Sequence, residues 1–135
     1  VLSKLRQTCP MNVHFLGPKS NVADYMHCCD AFLFSSLNEG MPIAVIEAFA
    51  MGKPIITTPA GGIKNMVSDQ KNGFITSTFK KQDFVRAMKQ YLLLSKQNID
   101  EICVNNLDKF RSDFSIQTCA HRYQQLFKNY GDTKR

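Results

Sequence analysis

The chain has 135 residues, a formal net charge of +6, 44% hydrophobic and 21% charged residues, which is ordinary globular usage with enough apolar material for one core and rules out a disordered chain. No run approaches the roughly 18 uninterrupted apolar residues of a membrane span, and the opening VLSKLRQTCP lacks the apolar core and cleavage site of a signal peptide. Much of the positive charge falls from Lys109 onward, where no recognisable nucleic-acid motif accompanies it, so it reads as solvated surface and no nucleic-acid partner is expected.

In chain order, VLSKLRQTC reads as the end of a helix, and NVHFLG (12–17) as the first strand, ending at Gly17. Ser20 or Asn21 then caps a helix over NVADYMHCC, with Val22, Tyr25, Met26 and Cys29 on one face. AFLFSS (31–36) is apolar on both faces, as central parallel strands are. After the loop LNEGM, Pro42 suits the first position of a helix running to about Met51, and Gly52 stops it. KPIITTP (53–59) is the third strand, closed by the turn AGG. A short helix over IKNMVSD follows, then an Asn-Gly turn leading into a short fourth strand in KNGFIT. From Lys81 the period becomes helical. DFVRAMKQYLLL, DEICVNNLDKF and SIQTCAHRYQQLFKNY are amphipathic, with caps expected at Gln82 or Asp83, at Asn98 or Asp100, and at Ser115. The tail GDTKR is expected to fray.

Short apolar runs alternating with helices predict an α/β fold, Rossmann-like and three-layered, with a mostly parallel sheet of about four strands and C-terminal helices. Such a sheet normally opens on a strand, whereas this chain opens on a helix, so it is expected to be a piece of something longer. The five cysteines, Cys9, Cys28, Cys29, Cys103 and Cys119, have no scaffold spacing and read as reduced thiols of a cytosolic protein. His14, His27 and His121 are scattered and make no metal-ligand pattern.

The segment SSLNEGMPIAVIEAFAMG (35–52) carries the chemistry. Two carboxylates, Glu39 and Glu47, stand eight positions apart among apolar and small residues. An ionised carboxylate in such surroundings needs a partner, from the chain or from a ligand. Glu39 falls on a loop at the carboxyl edge of the sheet, where open α/β sheets bind ligands, and Gly40 lets backbone approach closely. The helix begins at Pro42 and presents the amides of Ile43 and Ala44, a natural phosphate seat. Glu47 lies within that helix, whose neighbours Val45, Ile46, Ala48, Phe49 and Ala50 predict burial nearly all round. A carboxylate, phosphate-binding amides and a second carboxylate suit the sugar hydroxyls, diphosphate and ribose of a sugar nucleotide. The plainer alternative is that Glu39 decorates the loop while Glu47 pairs with a lysine such as Lys53.

With these residues placed, SSLNEGMPIAVIEAFAMGKPIITTPAGGIKNMVSDQKNGF resembles the nucleotide-sugar-binding half of retaining GT-B glycosyltransferases, the family-four group also described as glycosyl transferases group 1. That pattern runs from a serine through a glutamate-glycine pair to a second glutamate, then to spaced alanines, glycine and proline, and finally Gly-Gly. Here these are Glu39-Gly40, Glu47, Ala48, Ala50, Gly52, Pro54 and Gly61-Gly62, with Asp30 and the serines upstream and an asparagine-glycine turn downstream. The likeness covers about residues 12–95, the donor-binding core, leaving helices from about 96 to 130. Pro42 stands where glycine is common, and Asn65 where the pattern often has glutamate, so no role is carried onto Asn65.

The resemblance implies an incomplete half of a GT-B fold and transfer of a sugar from a UDP-, GDP- or ADP-sugar with retention, in polysaccharide or lipopolysaccharide synthesis. Glu39 is the implied catalytic residue, contacting donor-sugar hydroxyls. Gly40 and Met41 bring backbone to the sugar, Ile43 and Ala44 hold the diphosphate, and Glu47 binds ribose. No cofactor and no metal are expected, since no D-x-D pair is present and helix-end amides take the metal's place. The acceptor-binding domain and the phosphate-binding arginine and lysine are expected to precede Val1, so the fragment alone is expected to be inactive. The expected location is the cytoplasm, peripheral to the inner face of the membrane in the full-length enzyme. Two rivals are a GT-B sugar-nucleotide epimerase, against which Asn65 counts, and a non-catalytic Rossmann-like binding module.

Overall fold

The computed structural model describes residues 2–132. Its elements are α1 (Leu2–Thr8), α2 (Val22–Cys28), β1 (Phe32–Phe34), α3 (Ile43–Ala50), β2 (Ile55–Thr57), α4 (Ile63–Met66), β3 (Gly73–Ile75), α5 (Lys81–Leu92), α6 (Lys96–Lys109), a π-helical turn (Phe110–Phe114) and α7 (Ile116–Asp132). The sheet is parallel throughout, in the order β1-β2-β3. The expected α/β architecture is present, with three strands where about four were expected.

NVHFLG accounts for the difference. Residues 11–20 are exposed, and no ladder pairs them with β1. A strand exists only where its amides and carbonyls meet a neighbouring strand, and among the described residues this segment has no ladder partner, its Val13 amide donating instead to the Pro10 carbonyl at 3.0 Å. The same absence makes β1 an edge strand rather than the central one its apolar sequence predicts, and leaves Leu33 44% exposed.

Strand alternation divides the core between two faces. Phe32, Ile55 and Gly73 share one register row, Leu33, Ile56 and Phe74 the next, Phe34, Thr57 and Ile75 the third. The first and third rows face α3 and α4, where Ile55 packs with Val45, Ala48, Phe49, Ile63 and Met66. The middle row faces α5 and α6, where Ile56 and Phe74 pack with Ala87, Tyr91 and Ile102. This gives the three layers. The π-helical turn closes the first face by stacking Phe114 on Phe49, ring centroids 5.8 Å apart and planes 10° from parallel.

Helix starts differ from their sequence signals in two places. Ser95, not Asn98 or Asp100, caps α6, its hydroxyl accepting from the Asn98 amide at 3.2 Å. Asp83 lies in the first turn of α5 rather than at its cap, which is Lys80. At α6 the competing Ser95, Asn98 and Asp100 resolve in favour of Ser95, which has the extended backbone a cap needs, whereas α5 is entered at Lys80 with extended backbone and no side-chain cap. Ser115 does cap α7, as expected, accepting from the Thr118 amide at 3.2 Å. α7 runs on to Asp132, so Gly131 and Asp132 of the tail GDTKR are helical where fraying was expected, and the rest of that tail, 133–135, lies outside the described residues. No helix among the described residues is long and apolar enough to cross a membrane.

The amino edge of the sheet is fastened by one buried side chain. Asn106 on α6 is fully buried. Its amide donates to the Lys53 carbonyl at 2.7 Å and the Asn72 carbonyl at 3.0 Å, and its oxygen accepts from the Asn72 side chain at 2.9 Å. The residues leading into β2 and β3 are thereby tied to the helix that covers them. Replacing Asn106 with alanine leaves the Lys53 carbonyl and the Asn72 side-chain amide without their partner, the Asn72 carbonyl keeping only the Ile55 amide at 3.4 Å, and is expected to lower unfolding free energy by about 2 kcal/mol, measurable by urea titration.

Asp83 organises the turn before α5. It accepts from Thr78 Oγ1, from Ser77 Oγ at 3.3 Å and from Arg86 at 3.0 Å. The Thr78 hydrogen bond, with Arg86, Ser77 and Lys80 adding to it, holds the Asp83 carboxyl below the usual carboxylate range despite some desolvation. A depressed folded-state pKa contributes stability that is present above the unfolded-state value and is lost as pH falls through the folded one. Wild type is therefore expected to lose more stability than Asp83→Asn between neutral pH and strongly acid pH. Parallel urea titrations at the two pH values would test this, and equal losses would refute it.

Candidate functional site

The site region begins where β1 ends. The chain leaves Phe34, runs through residues 35–42 at the carboxyl edge, and enters α3. Thr58, just beyond β2, holds the start of this loop: its amide donates to the Phe34 carbonyl at 3.2 Å and its hydroxyl to the Ser36 carbonyl. The Ser36 hydroxyl donates in turn to the Asn38 carbonyl at 3.3 Å. The strand-end serine thus satisfies loop backbone.

Gly61 and Gly62 hold the other end. The Gly62 amide donates to the Glu39 carbonyl at 3.1 Å. A Cβ on Gly61 would lie 2.0 Å from the Glu39 oxygen, and one on Gly62 would lie 1.9 Å from the Gly40 oxygen. Gly61 also has φ +45°, a left-handed conformation that side chains disfavour. Sequence reasoning sees here only a tight turn. The structure adds a backbone-to-backbone contact between two loops, which fixes the height of Glu39 above the sheet.

α3 starts one residue later than its proline suggests. Pro42 is buried and occupies the cap with φ −71° and ψ 117°, so Ile43 is the first helical residue. The missing proline N–H consequently falls outside the helix. No side chain caps α3 and its first turn carries no carboxylate. The amides of Ile43 and Ala44 and the positive end of the helix dipole remain unclaimed within the described residues.

The two carboxylates differ from the sequence picture. Glu39 is half-buried, and Glu47 is exposed. α3 is not buried all round: Val45, Ala48 and Phe49 form its inner face, while Ile43, 68% exposed, and Glu47 share the outer one, four residues apart. Among the described residues no element packs against that outer face. Neither carboxylate makes an ion pair or side-chain hydrogen bond within the described chain. Lys53, the suggested partner of Glu47, instead donates to the His27 carbonyl at 2.8 Å. Gly40 and Met41 are exposed and Ala44 half-buried, so all six expected site residues lie on one loop-helix unit at one sheet edge.

Beside this unit opens a cavity of about 380 Å³, lined in part by Ser35, Leu37, Thr58, Phe79, Lys81 and Val85. Sequence reasoning passed over Thr58, Phe79 and Lys81. The Thr-Thr-Pro end of the strand and the lysine pair opening α5 were the available signals. Among the described residues no three His, Cys, Asp or Glu side chains group to hold a metal.

The family description "Glycosyl transferases group 1" matches residues 2–109. A curated relative, the N,N'-diacetylbacillosaminyl-diphospho-undecaprenol alpha-1,3-N-acetylgalactosaminyltransferase of Campylobacter jejuni, is 29% identical over 115 residues, 85% of this chain and 30% of that protein. Among solved structures, Anabaena HepE in complex with UDP and glucose superposes with a TM-score of 0.83 at 22% identity, covering 95% of this chain and 36% of HepE. Sucrose-phosphate synthase from Thermosynechococcus elongatus gives 0.71 at 19% identity, covering 81% and 27%. The chain spans about a third of the length of these proteins. With the match extending from the first helix through α6, the chain belongs to the glycosyl transferases group 1 family.

Proposed function

We propose that this chain is the donor-binding part of a retaining glycosyltransferase that takes its sugar from a nucleoside diphosphate. The observation that carries this is the loop-helix unit 39–47: two carboxylates without partners in the described chain flank an uncapped helix start at the carboxyl edge of a parallel sheet. A diphosphate seats on the Ile43 and Ala44 amides, where the helix dipole favours negative charge. Glu39 accepts hydrogen bonds from donor-sugar hydroxyls, with Gly40 and Met41 bringing backbone alongside, and Glu47 accepts from the ribose. The solved complexes of HepE with UDP and with UDP-glucose support a nucleotide-sugar ligand for this fold.

The reaction's difficulty is the negative charge that grows on the departing diphosphate while the sugar becomes cation-like. Amides aimed beforehand at the phosphate oxygens lower that barrier, because they need no reorganisation as the bond breaks. Glu39 orients the sugar while its anomeric bond lengthens. The acceptor, and further cations for the phosphates, come from parts of the enzyme outside these residues, so this chain alone binds donor without transferring it.

Calorimetric titration with UDP-, GDP- and ADP-sugars is expected to show weak binding of a UDP- or GDP-sugar, with a dissociation constant of about 1 mM. Replacing Glu39 and Glu47 together by glutamine should abolish it. Unchanged binding by that double variant would sink the reading. Gly62→Ala keeps both carboxylates but drives a methyl into the Gly40 carbonyl. It is expected to weaken the same binding by about tenfold or more, a loss of about 1.4 kcal/mol, with the fold checked by circular dichroism.

A further inference from the structure

The recess beside the Glu39 loop is walled by apolar side chains that three separate segments bring to the surface. Leu37, in the loop after β1, is 76% exposed, Phe79, before α5, is 49% exposed, and Val85, on α5, is 39% exposed. Single exposed apolar residues are ordinary. Three that line one recess of about 380 Å³ form a patch, and such patches mark interaction sites. The volume lies within the usual range for ligand sites.

Phe79 is held there by its own turn. The Thr76 hydroxyl donates to the Thr78 carbonyl at 2.6 Å, the Lys80 amide to Thr78 Oγ1 at 3.1 Å, and Thr78 Oγ1 to Asp83. Residues on both sides of the ring are tied down, so its exposure is built into the turn. A wall ordered in advance spares a ligand the entropy of ordering it.

The polar groups of the recess select the other end of the ligand. The Thr58 hydroxyl is spent on the Ser36 carbonyl. The Ser35 hydroxyl and the Lys81 ammonium make no hydrogen bond or ion pair among the described residues. No carboxylate lines the recess, and Asp83, two residues beyond Lys81, is already taken by Thr78, Ser77 and Arg86. Two free donors, one of them cationic, suit an anionic oxygen group. A nucleobase or a peptide backbone needs donors and acceptors along its length, and the side chains of Leu37, Phe79, Phe84 and Val85 offer neither. A hydrocarbon chain needs only apolar walls.

We propose that this recess binds a lipid phosphate, its chain against Leu37, Phe79 and Val85 and its phosphate on Lys81 and Ser35. The site borders the loop that carries Glu39 but uses neither Glu39, Glu47 nor the start of α3. It therefore stands independently of the donor reading.

The test is amide-resolved NMR titration of the full chain with decyl phosphate below its micelle concentration. Inorganic phosphate, decyl maltoside, phosphatidylglycerol vesicles and a UDP-sugar are titrated separately. Decyl phosphate is expected to shift the amides of Ser35, Leu37, Phe79, Lys81 and Val85. Lys81→Gln should weaken that response about tenfold, the loss of one charge-assisted hydrogen bond, and Phe79→Ser at least several-fold. Both residues are exposed, so the remaining spectrum should stay unchanged and report an intact fold. The proposal is overturned if decyl phosphate leaves these amides unmoved, if inorganic phosphate or decyl maltoside matches its response, or if only the vesicles bind. It is equally overturned if Lys81→Gln responds like wild type, or if the decyl phosphate response is confined to 39–47. The UDP-sugar titration reports on the donor unit separately, so either reading can fail alone.

Discussion

The arrangement of the site depends on a contact between two backbones. Gly61-Gly62 lies against Glu39-Gly40 so closely that any side chain at the glycines would overlap a carbonyl oxygen. Through that contact the loop after β2 sets the position of the loop after β1. The carboxylate, the exposed glycine and the start of α3 then follow in a stretch too short to drift. Thr58 fixes the loop's other end by two hydrogen bonds. Loops that carry chemistry work only when a rigid frame holds them, and here the frame is the neighbouring loop as much as the sheet.

That frame needs the sheet itself to stay flat against both helical layers. The two cores achieve this from opposite sides, using alternate residues of the same strands: Ile55 belongs to one and Ile56 to the other. Three-residue strands supply few ladder bonds, so the side chains packed above and below carry the order. Asn106 adds direction, because its hydrogen bonds to Lys53 and Asn72 select one placement of α6 relative to both incoming strands. A purely apolar contact would allow α6 to slide. The carboxyl edge is thus held by backbone proximity and the amino edge by a buried amide.

Much of this was legible in the residues, and the failures share a cause. The alternation of strands and helices, the helix at 43–50 and the Ser115 cap are local features, set by propensity and turn chemistry; the turn expected at Asn-Gly instead lies earlier, with Gln70 at φ +60°, and Gly73 is already the first residue of β3. NVHFLG has the pattern of a strand, yet pairing is a property of two segments, and among the described residues its partner is missing. AFLFSS reads as central for the same reason. Its composition records what both faces can tolerate, not what covers them here. Gly61-Gly62 announced a turn, but a sequence cannot say which carbonyl a glycine will press against. Thr58 escaped notice because its role comes from a loop 22 positions earlier.

The exposure of Glu47 changes the physical reason for assigning it a ligand. A buried charge would demand a partner at any cost. An exposed one is already solvated, and exchanging water for a sugar hydroxyl yields about 1 kcal/mol rather than several. The same holds for the amides at the start of α3, which water also satisfies in the open surface. Such groups orient a ligand well and hold it weakly. Their leverage rises when a second surface closes over them and removes the water, since the effective dielectric falls and each charge-dipole contact strengthens. The open outer face of α3, with Ile43 and Met41 standing exposed beside the carboxylates, is where such a surface would have to come down. Under the proposed donor-binding role, the chain would set the direction of the donor, and closure would supply the strength that transfer requires.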